Sequence, residues 1–152
     1  SFSTTAYGGD GNDSFYVYSN KASLKLYGED GNDLLNGSNR PDVLYGGPGN
    51  DRLRGFNGGD ALFGENGSDH LEGMGGNDNL DGGNHDDYLE GGSAYDRLIG
   101  GRGNDTLLGQ GNVDTLYGNG GADILNGGEE ADYGYYDLTD VLISIEIRRL
   151  VV

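Results

Sequence analysis

Aspartate recurs every nine residues through most of this chain, and each copy stands five residues after a glycine. Between residues 28 and 135 the chain divides into twelve nonapeptides without a gap, and position 6 is aspartate in every one. A separate copy at residues 8–16 adds one more upstream. Calcium prefers oxygen ligands from carboxylates and backbone carbonyls, so we predict that all of these aspartates bind Ca²⁺. They are Asp13, Asp33, Asp42, Asp51, Asp60, Asp69, Asp78, Asp87, Asp96, Asp105, Asp114, Asp123 and Asp132.

Alternate aspartates should lie on opposite flanks of the fold, because two nonapeptides are needed to complete one turn of a stacked structure. The first-flank ladder consists of Asp33, Asp51, Asp69, Asp87, Asp105 and Asp123, and the second-flank ladder of Asp42, Asp60, Asp78, Asp96, Asp114 and Asp132. Carboxylates stacked at one strand spacing, about 4.8 Å, repel each other unless a cation lies between them. If each adjacent pair holds one ion, the ladders bind up to about ten calcium ions. Asp13 could add a site by pairing with Asp33.

The glycines and leucines of the repeat indicate how these aspartates are positioned. Position 1 is glycine in all twelve copies, and position 8 is leucine in the first eleven. Glycine reaches positive φ without steric cost, so glycines at positions 1, 2 and 4 predict a bend that gathers backbone carbonyls. Positions 7–9 predict a short strand whose central leucine points inward. One nonapeptide cannot bury its leucine alone, so the turns must stack, which predicts an all-β solenoid.

The composition excludes several classes of function. The 152 residues include 26 acidic and 9 basic side chains, for a net charge of −17. Nucleic-acid binding needs a basic surface, and so does charge-driven binding to an anionic membrane. The chain contains no cysteine, which excludes disulfides and thiolate metal sites, and no apolar run approaches the ~20 residues of a membrane span. An acidic chain with 32 glycines is also typical of disorder, which we expect when cations are absent.

The motif G-G-x-G-x-D, present as Gly8-Gly9-Asp10-Gly11-Asn12-Asp13 and followed in later copies by x-Leu-x, resembles the repeat of the RTX (repeat-in-toxin) family. The resemblance covers residues 8–16 and 28–135. It implies a right-handed parallel β-roll of about six to seven turns, with calcium between adjacent turns on both flanks. It also implies a secreted, extracellular bacterial protein that leaves the cell unfolded through a dedicated type I secretion system and folds on meeting calcium.

The two flanks differ at position 4 of the repeat. On the first flank position 4 is glycine in five of six copies, with His85 as the exception, whereas on the second flank only two of six copies keep this glycine. We therefore predict that the first flank holds the tighter and more complete row of ions. On the second flank the best site should lie between Asp60 and Asp78, with weaker or empty sites toward its ends. Arg40 could replace an ion with its own positive charge.

The register divides the chain into three segments. Residues 1–27 should form an irregular first turn, in which residues 17–27 represent one repeat lengthened by two residues. Residues 28–135 form the regular roll. Residues 136–152 leave the period, and their alternating apolar positions predict a strand that caps the last turn, or else begins a further domain or a secretion signal. Because the sequence begins at Ser1 rather than methionine, we expect a segment of a longer protein.

A partial aromatic column gives the main alternative to a module that only binds calcium. Tyr45, Phe63, Tyr117 and Tyr135 stand at outward positions of the second-flank strands. They could bind a glycan or an adjacent domain, or they could simply reflect the β-propensity of aromatic residues. A third interpretation is a passive spacer that calcium stiffens. The sequence has neither HExxH nor GxSxG and no convergent zinc ligands, so we do not expect an enzyme.

Overall fold

The computed structural model describes residues 4–17 and 22–145, and the backbone of residues 147–150. These residues form seventeen short strands and no helix, and therefore no helix that could cross a membrane. The strands are β1 (Thr4–Tyr7), β2 (Ser14–Phe15), β3 (Leu24–Tyr27), β4 (Leu34–Asn36), β5 (Val43–Pro48), β6 (Arg52–Asn57), β7 (Ala61–Asn66), β8 (His70–Gly75), β9 (Asn79–Asn84), β10 (Tyr88–Ser93), β11 (Arg97–Arg102), β12 (Thr106–Gly111), β13 (Thr115–Gly120), β14 (Ile124–Gly128), β15 (Tyr133–Tyr136), β16 (Val141–Ile143) and β17 (Ile147–Leu150).

The strands form two parallel sheets, one on each side of a single core. Odd-numbered strands form a nine-stranded sheet and even-numbered strands an eight-stranded sheet, each in sequence order. In the regular part neighbouring strands pair with a shift of 18 residues, as in Leu53 with Leu71 and Leu71 with Leu89. The predicted all-β parallel β-roll is confirmed. It has about eight turns, slightly more than the six to seven predicted, because strands also form at both ends of the regular repeats.

The core is one column of leucines from position 8. The eleven leucines from Leu35 to Leu125 are fully buried between the two sheets, and Leu26 continues the column upstream. At the far end Ile145 lies 4% exposed and belongs to the same cluster. Burying a leucine side chain contributes about 1.5–3 kcal/mol, so a column of this length holds the sheets together. The prediction that the position-8 leucine points inward is confirmed.

From β5 to β13 the strands are six residues long, twice the predicted three. Strand β6, for example, runs from Arg52 to Asn57 and therefore covers positions 7–9 of one repeat and positions 1–3 of the next. Pairing continues past the position-1 glycine, as Gly47 faces Glu65 in the ladder between β5 and β7. Only positions 4–6 remain as a loop. Consequently each aspartate is placed at the junction between a three-residue loop and a long strand.

Positive φ angles occur at positions 2 and 4 of the repeat, not at position 1. Gly47 and Gly67 represent these positions, with φ of 112° and 127°. Position-1 glycines such as Gly73 are outside that region. A Cβ atom on Gly73 would lie 2.5 Å from the Oδ2 atom of Asp78 and 2.6 Å from the carbonyl oxygen of Gly91. The prediction for position 1 was therefore wrong, since glycine is required there by lack of space rather than by backbone angle.

Both ends of the chain add strands to the sheets. Upstream, β1 pairs with β3 so that Ala6 faces Leu26. Residues 18–21 of the predicted lengthened repeat are outside the described residues, while its Leu26 occupies the leucine position of a regular turn opposite Leu44. Downstream, β16 pairs with β14 and β17 pairs with β15. The division into segments 1–27, 28–135 and 136–152 stays a prediction.

Candidate calcium-binding ladders

The predicted aspartates form two continuous rows in which each carboxylate is tied to the next turn. The twelve aspartates from Asp33 to Asp132 are at most 4% exposed. In ten of them, from Asp33 to Asp114, the backbone N–H donates to the Oδ1 atom of the aspartate 18 residues later, as Asp33 does to Asp51 at 2.7 Å. Asp13 donates in the same way to Asp33 at 2.7 Å. The rows therefore pass from turn to turn as predicted, and Asp13 joins the first-flank ladder.

We call each aspartate of a ladder a rung. The second carboxylate oxygen of most rungs accepts no hydrogen bond from the protein. The Oδ2 atom is buried and accepts no hydrogen bond in Asp13, Asp33, Asp51, Asp60, Asp69, Asp78, Asp87, Asp96, Asp105, Asp114 and Asp123. A buried anionic oxygen without a partner is strongly unfavourable, and repeating it every turn multiplies the cost. The ladders therefore leave a row of negative oxygens that a cation or a proton can satisfy.

Burial raises the pKa of ten ladder carboxyls above the ordinary value of 3.8, namely those of Asp33, Asp51, Asp60, Asp69, Asp78, Asp87, Asp96, Asp105, Asp114 and Asp123. In each case removal of water is the largest cause, and the hydrogen bond from the preceding aspartate's backbone N–H partly opposes it. The pKa reaches about 8 for Asp87. It reaches about 7 for Asp51, Asp60, Asp96 and Asp114, and about 6 for Asp69, Asp78 and Asp105. These shifts show that the buried charge is poorly compensated by the protein alone.

Backbone carbonyls supply the other oxygen atoms near the ladders. Among the described residues no three His, Asp or Glu side chains converge on one metal-sized site, so the carboxylates meet only in adjacent pairs. At position 4 the carbonyls point along the roll axis, because a Cβ atom on Gly49 or Gly67 would collide with the carbonyl oxygen of Gly31 or Gly49. Paired carboxylates and axial carbonyls form an oxygen-only donor set. This set fits a hard cation such as Ca²⁺, which takes six to eight oxygens.

The flanks differ in their loop hydrogen bonds as well as in sequence. On the first flank the position-5 side chains form their own row, in which Asn12 accepts from the backbone of Asn32 and Asn32 from that of Asn50. On the described second flank the equivalent contact is that of Asn77 with the N–H of Tyr95, at 3.2 Å. This asparagine row was not predicted from the sequence. The ranking of the two flanks by calcium affinity stays a prediction.

The second-flank ladder begins with a rung that differs from the others. The Oδ2 atom of Asp42 accepts a 2.5 Å hydrogen bond from the backbone N–H of Ser38. Ser38 occupies position 2, and its neighbours one turn away, such as Phe56, have positive φ whereas Ser38 does not. Here the loop donates a backbone hydrogen bond to the aspartate of its own repeat. This rung therefore lacks the unpartnered oxygen found elsewhere.

The aromatic column is longer and more tightly stacked than the sequence analysis indicated. Tyr7 and Tyr27 extend it upstream, and the rings from Tyr7 through Tyr27 and Tyr45 to Phe63 stack at centroid distances of 4.9 Å. Tyr117 and Tyr135 form a second stack at 4.3 Å. Stacked rings cover each other's faces, so they expose mainly their edges and hydroxyl groups. Binding of a partner through this column stays a prediction.

A family model described as the RTX calcium-binding nonapeptide repeat (4 copies) matches residues 3–18, 27–62, 37–71, 54–89, 63–98, 81–116 and 99–134. These matches together cover most of the chain and all thirteen predicted aspartates. No curated protein matches the chain. The repeats of this family bind calcium, in agreement with the donor set of the ladders. The chain therefore belongs to the family of RTX calcium-binding nonapeptide repeat proteins.

Proposed function

We propose that this module folds when its ladders bind extracellular calcium, and that it thereby supports the secretion and stability of a larger secreted bacterial protein. The observation that carries the proposal is the row of buried Oδ2 atoms without hydrogen-bond donors. Above about pH 8, where these carboxyls are ionised, a structure with this defect in nearly every turn cannot persist unless a ligand compensates it. A ligand that binds only the folded state adds its binding free energy to the stability of that state.

Among the described residues, the ion pairs that are seen do not involve the ladder aspartates from Asp13 to Asp123. The ion pairs of the described residues join Arg52, Arg54 and His70 to Glu72 on the outer face of the eight-stranded sheet. Lys25 lies beside the rings of Tyr27 and Tyr45, away from the buried carboxylates. With a net charge of −17, the chain must take up cations from solution to fold.

Each interior pair of aspartates would hold one ion between adjacent turns, with axial carbonyls completing its coordination. Counted over both flanks, this gives up to about ten ions. The first flank carries the more complete set, because its loops keep glycine at position 4 and are joined by the asparagine row. The second flank binds best between Asp60 and Asp78. In this arrangement residues 1–27 form the first turn, 28–135 the calcium-binding roll, and 136–152 a capping segment.

The proposed extracellular location follows from the calcium affinity that is expected of such sites. Extracellular calcium modules typically bind with Kd of ~10⁻⁴–10⁻³ M, far above the calcium concentration of a cytosol. The chain would therefore remain unfolded inside a bacterial cell and fold outside it. An unfolded chain is the form that a narrow secretion channel can pass. The module itself is not catalytic, since its buried carboxylates are used for ion binding and stacking.

The proposal is tested by the size of the molecule in solution. Small-angle X-ray scattering in excess chelator at pH 8 should give the radius of an expanded chain, and millimolar calcium should give that of a compact rod. For 152 residues the expected radii differ by more than twofold. A compact rod in chelator at pH 8 would mean that the leucine column folds the chain without ions, and the proposal would fail.

The aromatic column supports a second candidate, a surface that binds a polysaccharide or a neighbouring domain. Tyr27 and Tyr45 border a cavity of about 390 Å³ that also touches Glu29 and Glu65. The residues proposed to contact the glycan or the neighbouring domain are Tyr45, Phe63, Tyr117 and Tyr135. A glycan array, with the Tyr45→Ala and Tyr117→Ala double variant as control, tests this candidate. Its weakness is that stacking covers the ring faces on which sugars usually pack.

A further inference from the structure

The tail contains an additional ladder carboxylate that lies outside the regular nonapeptides. The Oδ1 atom of Asp140 accepts a hydrogen bond from the backbone N–H of Asp123 at 3.1 Å, as each interior aspartate does from the preceding turn. The N–H of Val141 donates to the carbonyl oxygen of Asp123 at 2.7 Å, and Leu142 pairs with Leu125. Residues 140–143 therefore occupy positions 6–9 of a further half-turn, only 17 residues after Asp123.

The second oxygen of Asp140 differs from its interior counterparts because the protein itself satisfies it. The backbone N–H of Asp137 donates to the Oδ2 atom of Asp140 at 2.7 Å. The hydroxyl oxygen of Thr139 lies 2.5 Å from the carbonyl oxygen of Gly121 and 2.6 Å from the Oδ1 atom of Asp137, so its single proton is shared between these two acceptors. Gly121 carries the last position-4 carbonyl of the first flank, one of the oxygens that an ion would use. Both oxygens of the Asp140 carboxylate are thus occupied by hydrogen bonds, and the Thr139 hydroxyl lies against the carbonyl oxygen of Gly121.

The same arrangement occurs at the opposite end of the other ladder. Asp42 is the first rung of the second flank, because the equivalent position of the preceding turn is the buried Leu24, whose N–H donates to Asp42 at 2.6 Å. The N–H of Ser38 satisfies the Oδ2 atom of Asp42. Ser38 is 4% exposed, so this hydrogen bond is shielded from water. In two loops of different sequence, a nearby backbone N–H thus donates to the Oδ2 atom of the end aspartate.

We propose that Asp42 and Asp140 are end rungs that the protein closes with its own donors, and that neither contributes a calcium site. This inference rests on the proposed function, in which interior rungs bind calcium. A backbone N–H removes the need for a cation at a buried carboxylate oxygen, since it supplies the missing hydrogen bond and a partial positive charge. The number of bound calcium ions is then set by the remaining rungs of the two ladders.

Calcium counting distinguishes end rungs from interior rungs. Equilibrium dialysis with radioactive calcium, at saturating concentration, would compare Asp42→Asn and Asp140→Asn with the interior controls Asp78→Asn and Asp105→Asn. Each asparagine keeps an Oδ1 acceptor for the adjacent backbone and removes one negative charge. We expect the two end variants to bind the same number of ions as the parent protein. Each interior variant should lose at least one ion.

Hydrogen exchange gives a second measurement that does not depend on ion number. In saturating calcium, Asp140→Asn and the milder Thr139→Val should lower the exchange protection of Val141–Ile143 about tenfold or more, while protection of Leu89 and its neighbours stays unchanged. Loss of an ion in Asp140→Asn or Asp42→Asn would overturn the proposal, as would unchanged protection at Val141–Ile143 in Thr139→Val. If the interior variants also lose no ion, the ladder mechanism itself fails, which is a distinct result.

Discussion

The backbone N–H of Asp69 donates a 2.8 Å hydrogen bond to the Oδ1 atom of Asp87 in the following turn. The other oxygen of Asp87 is buried without a donor, and burial raises its pKa to about 8. One carboxylate therefore fixes the register of two turns and also creates the need for a cation. Because both roles fall on the same side chain, stacking of the turns and calcium binding are coupled at every interior rung.

The pH dependence of the calcium-free chain follows from the raised pKa values. The folded carboxyls bind protons up to pH 6–8, whereas in the unfolded chain they release them near 3.8, so the folded state binds more protons between these limits. Stability without calcium should therefore be greater near pH 5 and be lost as pH rises through about 6–8. Far-UV circular dichroism in chelator, at constant ionic strength, would measure this. A loss of β-structure on acidification over this range would contradict the assignment.

Neutralising one interior rung should weaken calcium-induced folding far more than removing an equal charge elsewhere. Asp87→Asn is expected to raise the calcium concentration at the folding midpoint at least about tenfold, which corresponds to ~1.4 kcal/mol. Asp81→Asn provides the matched control, since Asp81 stands on an outward position of β9 rather than in a ladder. Its midpoint should change less than about twofold. Equal shifts in both variants would show that net charge alone controls folding.

Glycine at position 1 should be intolerant of even one methyl group. In Gly73→Ala the new Cβ atom would overlap both the carboxylate of Asp78 and the carbonyl of Gly91, so we expect a loss of about 1–3 kcal/mol or more. Gly120→Ala is the control, because its nearest neighbour would be the carbonyl oxygen of Gly101 at 3.8 Å and its φ is not positive. Chemical denaturation in saturating calcium measures both. Comparable losses would mean that backbone entropy, not space, decides the effect.

The leucine column should contribute to stability independently of calcium affinity. Leu89→Ala would leave a cavity at a fully buried position and is expected to cost about 2–5 kcal/mol. Leu138→Ala, at a position 85% exposed, should change stability by less than about 0.5 kcal/mol. Urea unfolding in saturating calcium provides both values. A small effect of Leu89→Ala would indicate that ions alone hold the sheets together.

The parts of this structure that the sequence predicts are those in which one position has one role. The aspartate at position 6 and the leucine at position 8 recur at a fixed period, so their ladders and core could be identified from spacing alone. Position 1 was misinterpreted because two physical causes, positive φ and lack of space, both select glycine. The strand length was underestimated because positions 1–3 carry glycine and polar residues, which are depleted in strands, and stacking overrides that propensity.

The additional rung at Asp140 was missed for a different reason. Residues 140–143 keep the order Asp-x-Leu-x, but position 1 of that copy is Tyr135 rather than glycine, and the spacing from Asp123 is one residue short. Tyr7 and Tyr27 were also missed in the aromatic column, because the two copies that carry them depart from the regular register. In each case the nine-residue period is interrupted, but the strands continue to stack. The strand pairing therefore shows that these residues belong to the ladder and to the aromatic column.

The central claim, that calcium at the ladders drives folding, is tested most directly by far-UV circular dichroism during a calcium titration at pH 8, with magnesium as control. Magnesium demands a tighter octahedral geometry and loses its water reluctantly, so it should not replace calcium between the turns. We predict a cooperative change from coil to β-structure at millimolar calcium and none with magnesium. A spectrum that is already rich in β-structure in excess chelator, or an equal response to both ions, would contradict the account.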